Sequence, residues 1–224
     1  MILNYIATPF YDDVLLRNNY VAKTIERTRT KPIYTVLKRI FDVVVSGFFL
    51  VALSPLFLIL AFVIKLTSHD SAIFKQERVG MYGNSFTIYK FRTMASNAPE
   101  VSTNNFHDSC NYITKIGRVL RKSSLDELPQ LYNVFRGDMS IIGPRPLIKS
   151  ESDNHRNRMA YGVYDIRPGI TGWAQINGRD CISDDEKVYY DYQYLVYRSV
   201  FMDVLIFVKT IFSVAKSEGQ VEGH

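Results

Sequence analysis

The sequence predicts a helix-rich α/β chain with a small sheet, carried on an apolar helix bent at a proline. Three observations predict it. An uncharged run from Val43 to Ile64, VVVSGFFLVALSPLFLILAFVI, is interrupted at its middle by Ser54-Pro55. Short stretches such as Ser85–Met94 alternate apolar and polar residues, the period of a half-buried strand. From Glu186 to Ala215 the residues Tyr190, Tyr194, Tyr197, Phe201, Leu205, Val208 and Phe212 recur every three or four positions, the period of a helix.

As one straight helix the 22 residues Val43–Ile64 measure ~33 Å, enough to cross a bilayer core. Pro55 cannot donate to the carbonyl of Val51, and it biases Ser54 away from the helical region, so a kink belongs here. Lys38 and Arg39 precede the run and Lys65 follows it, which gives no inside–outside asymmetry. A kinked spanning helix and a helix that dips in and returns, with arms of ~15–18 Å each, both satisfy these facts. Ile33–Lys38 reads as an amphipathic lead-in, and the C-terminal helical stretch, broken by Asp191, Arg198, Asp203 and Lys209, reads as interfacial or core-packing rather than spanning.

The 224 residues carry 27 Lys and Arg against 22 Asp and Glu, a net charge of +5. That balance suits an anionic partner. Fifteen Tyr and fourteen Phe suit a membrane interface. Cys110 and Cys181 form neither a disulfide framework nor a metal pair and read as reduced thiols. His69, His107, His155 and His224 lack metal spacing; no P-loop, GxGxxG or GxSxG is present, and the basic segments match no nucleic-acid module.

Between these landmarks, Ala72–Gly80 reads as a strand and turn. Lys90 and Arg92 share one face of the alternating segment that follows. Residues 95–112 are polar and irregular. Thr114–Lys122 is a short helix with Lys115, Arg118 and Lys122 in a basic stripe. It leads into Arg121-Lys122-Ser123-Ser124-Leu125-Asp126-Glu127-Leu128-Pro129-Gln130. Pro129 marks a helix start, so Asp126 and Glu127 lie at or beside the positive end of a helix dipole, which favours their ionised forms and also attracts phosphate. Acidic residues are also ordinary caps. Gly137-Asp138 is a turn before the strand Met139–Ile142, and Pro144 and Pro146 stiffen the backbone around Arg145, a good mount for a phosphate clamp. In Arg167–Arg179, Pro168-Gly169 reads as a turn and Asn177-Gly178 as a hairpin-type turn, with Arg167 and Arg179 bracketing the patch that holds the only Trp.

These segments, in this order, resemble the bacterial sugar transferases, the monotopic phosphoglycosyl transferases. The resemblance covers about residues 35–224 and rests on Lys38–Asp42, the run with Ser54-Pro55, Lys90–Met94, Leu120–Lys122 with Ser124–Gln130, Gly137–Ser140 with Gly143–Pro146, and Arg167–Gly169 through Gly178-Arg179. It implies transfer of a sugar 1-phosphate from a UDP-sugar to a polyprenyl (undecaprenyl) phosphate at the bacterial cytoplasmic membrane, with downstream glycosyltransferases as further partners and no nucleic acid. It implies a re-entrant helix bent at Ser54-Pro55 (residues 35–68), preceded by an extension (1–34) and followed by a catalytic domain (69–224) facing the cytoplasm. Asp126 is then the nucleophile, Glu127 its partner, and both hold Mg²⁺. Arg145, Arg118, Arg121, Arg167, Lys90 and Arg92 are candidates for the substrate phosphates, and Trp173, Gln175, Asn177 and Arg179 for the nucleotide and sugar. The tail Glu218–His224 resembles those of members that use N-acetylated amino sugars. The alternative is a non-catalytic membrane-associated scaffold of the same fold.

Overall fold

A computed structural model describes residues 31–68, 71–95, 97–98, 112–178 and 182–216. Expectations about residues 1–30, Cys110, Cys181, Arg179, His69, His107 and Glu218–His224, and most of those about residues 95–112, lie outside that set.

Helix α1 (Pro32–Ala52) opens with Pro32 in its first turn, where the missing N–H costs nothing. Leu53 still donates to the Phe49 carbonyl and accepts the Phe57 amide, both at 2.9 Å; Pro55 is the residue without a donor, and α2 (Ser54–Ser68) leaves at a bend of 61°. Ser54 Oγ donates to the Val51 carbonyl at 2.8 Å, the acceptor that Pro55 leaves without its amide. The kink expected at Ser54-Pro55 is therefore present, with its freed acceptor satisfied by the adjacent hydroxyl. No single described helix is long and apolar enough to cross a membrane; only the bent pair has the length and composition. Ile33, Val36, Leu37, Ile40, Val44, Phe48 and Val51 of α1 and Leu58, Ile59 and Phe62 of α2 are exposed. By contrast, Asp42 and Ser46 are buried on the inward face of α1. Asp42 Oδ1 accepts the Ile141 amide at 3.1 Å, and Ser46 Oγ donates to the Asp42 carbonyl at 2.6 Å.

The expected small sheet is two two-stranded sheets. Strands β1 (Ile73–Val79) and β2 (Ser85–Phe91) form an antiparallel hairpin, with Gln76 opposite Ile88. Helix α3 (Lys115–Lys122) is capped by Thr114, whose hydroxyl accepts the Gly117 amide at 2.9 Å. A 3₁₀ turn, Leu125–Glu127, follows, and Pro129 then caps α4 (Gln130–Arg136). Strand β3 (Ser140–Ile142) pairs in parallel with β4 (Gly169–Thr171), and α5 (Ser152–Ala160) lies within the crossover between them. Gly169, read with Pro168 as a turn, instead opens the parallel strand, and Asn177, read with Gly178 as a hairpin-type turn, instead closes the C-terminus of the one-turn helix α6 (Trp173–Ile176). The periodicity could not reveal this, because β4 has only three residues and finds its partner at a distance in sequence.

The C-terminal stretch is two helices rather than one, α7 (Asp184–Tyr197) and α8 (Val200–Lys216). The apolar spacing runs through the break, but Arg198 leaves helical geometry (ψ 129°) and Ser199 Oγ accepts the Met202 amide, starting a new helix. Tyr194 is buried, and its hydroxyl reaches Asp203 Oδ1 of α8 at 2.8 Å, so the corner is closed by a hydrogen bond. Phe201, Val204, Phe207, Ile211 and Phe212 of α8 are exposed.

Among the described residues, three small clusters of buried apolar side chains result. Ile142, Ile166, Tyr194, Leu195, Met202 and Ile206 join α7, α8 and β3. Ile64, Phe91 and Leu120 seat α2 on β2 and α3. Ile88, Val134 and Met139 bind α4 to the hairpin. The crowding between the parallel strands is severe: a Cβ on Gly169 would lie 2.1 Å from the Gly143 nitrogen, and one on Gly172 2.2 Å from the Gly143 carbonyl oxygen. Gly169→Ala is expected to cost about 1–3 kcal/mol or more through overpacking. A thermal melt of the purified variant, lower than that of the parent protein, is the check.

Candidate active site

The site is built where α3, the 3₁₀ turn and β2 meet. Asp126 is buried, at 9% exposure, in the turn ahead of α4. Burial, then the neighbouring charge of Glu127, pushes its carboxyl up to about 6; Lys90, Arg121 and Arg145 pull in the other direction and do not prevail. Dipole reasoning from sequence expects both carboxylates to be held ionised. The structure reverses that sign for Asp126, because desolvation outweighs the partial charge of a seven-residue helix.

Glu127 is the hub of the cations. Its Oε1 meets Lys90 Nζ at 2.7 Å and Arg145 Nη1 at 3.4 Å. The Lys90 side chain is 16% exposed; burial lowers its pKa, against the pull of Glu127. Arg121 Nε donates to Thr93 Oγ1 at 2.9 Å and bears electrostatically on Asp126. Lys90, Arg121 and Arg145 are thus gathered round the acidic pair. Arg145 alone of its segment faces out, since Pro144 and Pro146 on either side are buried.

The other expected phosphate ligands lie elsewhere. Arg92 Nε donates to the Ser71 carbonyl at 2.7 Å. Arg118 is exposed on α3. Arg167 Nε donates to the Gly137 carbonyl at 2.9 Å, at the opposite end of α4. The nucleotide and sugar candidates hold the fold together: Trp173 Nε1 donates to Gln193 Oε1 at 2.9 Å, Gln175 Nε2 to the Ile170 carbonyl at 3.0 Å, and Asn177 Nδ2 to the Trp173 carbonyl at 2.8 Å.

The sequence reading missed the supports of Arg145. Arg158 Nη1 donates to the Arg145 carbonyl at 2.6 Å, and Arg158 Nη2 meets Asp191 Oδ2 at 2.5 Å. Arg78 Nη1 reaches the Pro146 carbonyl at 3.2 Å. Asp191 and Arg158 are 1% and 4% exposed, and burial pushes Asp191 up to about 6 despite its partner. The signal was available: Asp191 interrupts an otherwise apolar helical face, and a carboxylate buried there needs a counter-ion.

Among the described residues, no three His, Cys, Asp or Glu side chains converge as a metal site. Mg²⁺, however, is commonly held by one or two carboxylates together with substrate phosphates, and Asp126 and Glu127 supply that chemistry. The donor set fits the ion on those terms.

The sequence model of the bacterial sugar transferase family matches residues 33–217. The chain belongs to that family. It is therefore an enzyme of the phosphoglycosyl transferase class, and the scaffold alternative falls away. It is 42% identical over 184 residues to the uncharacterized sugar transferase EpsL of Bacillus subtilis, covering 82% of this chain and 90% of that protein. It is 37% identical over 209 residues to the exopolysaccharide production protein ExoY of Rhizobium meliloti, covering 87% and 92%. A third relative, the UDP-N-acetylgalactosamine-undecaprenyl-phosphate N-acetylgalactosaminephosphotransferase of Aeromonas hydrophila, is 40% identical over 185 residues; the match covers 80% of this chain and 44% of that protein. The chain thus spans less than half the length of that longer relative.

Asp191→Asn leaves Arg158 buried without a counter-charge and is expected to cost about 3–5 kcal/mol. The paired change Arg158→Met with Asp191→Leu is expected to restore the thermal midpoint and yet leave sugar transfer impaired, because the Arg145 carbonyl loses its donor. Full transfer in the stable double variant would show that the pair does not position Arg145.

Proposed function

We propose that this enzyme transfers a sugar 1-phosphate from a UDP-sugar to undecaprenyl phosphate, the first step of a membrane-linked glycan. The observation that carries the reading is a buried, charge-tuned carboxylate, Asp126, beside a carboxylate that anchors Lys90 and Arg145. The printed activity of the Aeromonas relative supports the donor and acceptor classes.

Asp126 is the nucleophile. One of its oxygens attacks the β-phosphorus of the donor, the bond from that phosphorus to the bridging oxygen breaks, and UMP leaves. A phosphate oxygen of the lipid then attacks the aspartyl phosphorus, the bond to Asp126 breaks, and the carboxylate is regenerated with the lipid diphosphate sugar as product. Phosphoryl transfer asks mainly for positioning and neutralisation of charge. Arg145 and Arg121 meet the donor phosphates, and Lys90 keeps Glu127 in place. Mg²⁺ held by Asp126 and Glu127 supplies further neutralisation of the phosphate charge.

Residues 35–68 form the membrane lead-in and a re-entrant helix, and residues 69–224 form the catalytic domain on the cytoplasmic face of the bacterial membrane. The 61° bend, the uncharged arms and the exposed apolar faces of α1, α2 and α8 support this arrangement. It brings the lipid phosphate and Asp126 to one depth, which reduces the search for the acceptor.

Asp126→Asn is expected to abolish UMP release and the covalent phosphosugar adduct, read by mass spectrometry with a panel of UDP-sugars. Because the carboxyl of the folded protein is raised, the ionised nucleophile declines as the pH falls through about 6, and the rate of adduct formation should drop towards tenfold per pH unit below it. The sign for stability is opposite. A raised carboxyl favours the fold below its ordinary value near 3.8, and that contribution is lost as the pH rises through about 6, so Asp126→Asn should raise the thermal midpoint more at pH 8 than at pH 5. Full activity of the variant would sink the mechanism. For topology, tags at both ends are expected to stay protected from external protease in sealed cells; cleavage at one end only would mean a spanning helix.

A further inference from the structure

The segment Lys90–Thr93 serves the acidic pair by two routes. Lys90 reaches Glu127 directly. Thr93 carries no charge and acts on an arginine of the next helix: it is buried, and its Oγ1 accepts Arg121 Nε at 2.9 Å. The mechanism above makes no use of that hydroxyl.

The surroundings of Thr93 are built to hold this contact. Its main-chain carbonyl accepts the Thr114 amide at 3.0 Å, and Met94 bridges to Ile113, so the chain leaving β2 is joined to the start of α3. Gly117 then lets the first turn of α3 lie directly on that carbonyl, since a Cβ there would stand 2.0 Å from the Thr93 oxygen. Arg121 follows Gly117 by four residues and so lies on the same helix face, one turn further on. Beyond α3 the chain turns sharply at Ser124, whose φ is 54° and whose amide donates to the Arg121 carbonyl at 2.9 Å. That turn leads straight into Asp126 and Glu127, and the charge of Arg121 bears on Asp126.

We infer that Thr93 is a positioning residue for donor binding: its hydroxyl holds the Arg121 guanidinium in the orientation that meets the diphosphate of the nucleotide sugar. An arginine left to rotate loses side-chain entropy when it grips a phosphate, and a bond at Nε sets the plane of the fork beforehand. A hydroxyl does this without cancelling the charge, as a carboxylate in its place would. The choice of a nucleotide diphosphate rests on the function proposed above; the coupling of Thr93 to Arg121 rests on the geometry.

The test uses the full chain in a neutral detergent with Mg²⁺ in the buffer, UDP as the diphosphate probe, and its dissociation constant from calorimetry as readout, so that neither turnover nor acceptor lipid is needed. Thr93→Val keeps the shape, removes the hydroxyl and is expected to weaken UDP binding about tenfold, and Arg121→Met at least as much. Thr93→Ser keeps the hydroxyl and should stay within about threefold of the parent protein. Thr93→Val combined with Arg121→Met should bind UDP no more weakly than Arg121→Met alone, because the hydroxyl then has no guanidinium to hold. A part in folding alone would lower the thermal midpoint without making the two losses redundant. If Thr93→Val does not fold, Thr93→Ala replaces it. The inference is overturned by unchanged UDP affinity in Thr93→Val, by losses that add in the double variant, by failure of Thr93→Ser to keep binding, or by absence of UDP binding to the parent. Failure of the proposed function reads differently: redundant losses together with full transfer by Asp126→Asn would refute the nucleophile and leave the placement of Arg121 standing.

Discussion

The position of the acidic pair depends on one buried amide. Asn133, fully buried within α4, turns its side chain to the edge of β2 and behaves there as a piece of a third strand. Its Nδ2 donates to the Thr87 carbonyl at 2.7 Å and its Oδ1 accepts the Tyr89 amide at 3.1 Å. At the same time its own main-chain carbonyl accepts the amides of Gly137, Asp138 and Met139, which closes the helix and launches β3. Two strands and a helix of two turns are individually marginal in water. The amide joins them, and Lys90, one residue past Tyr89, is thereby carried to Glu127. Without that registration the hairpin could slide along α4, and the charges would meet the pair at the wrong distance.

Cations in this protein are divided by what holds them. Those around Asp126 and Glu127 act on carboxylates, whereas Arg39 and Arg167 end on peptide carbonyls, and Arg78 and Arg158 each combine a peptide carbonyl with a side-chain acceptor, Gln76 and Asp191. The second group works as framework, stiffening loops and helix ends that have few apolar contacts of their own. Among the described residues the buried apolar side chains fall into small clusters, two of them joined through Ile141, and such ties add rigidity between them. The same ties place positive charge near the surface, where a basic net charge would meet phosphate-bearing partners.

Much of this was legible in the sequence. The bend at Ser54-Pro55, the hairpin flanking residues 80–84, the Thr114-capped α3 and the outward-facing Arg145 each follow from local rules about proline, alternation and caps. So did the neighbourhood of Asp126 and Glu127, since Lys90 and Arg121 lie in segments with strong periodicity. What could not be read depends on distance in sequence. The β3–β4 pair joins three-residue strands 29 positions apart, too short to show a period and too remote to show a partner. Asp191 shows as a charge on an apolar helical face, but nothing local names Arg158, 33 positions away, as its partner. Arg167 shares its residue type and proline-rich setting with Arg145, and only the fold sends the two to different ends of α4. The raised carboxyl of Asp126 is likewise a property of burial, which a dipole argument made from neighbouring residues cannot include.

The hydroxyl that closes the bend between α1 and α2 has a wider consequence. A proline corner in a helix ordinarily leaves an acceptor open, and such a corner must stay wet or borrow a donor from a neighbouring segment. Here the donor is the residue next to the proline, so that acceptor is covered wherever the corner is placed. A hinge closed in this way can move from water into hydrocarbon without a partner helix to chaperone it. In the membrane arrangement proposed above, the two-helix element would enter the bilayer with the acceptor at its bend already satisfied.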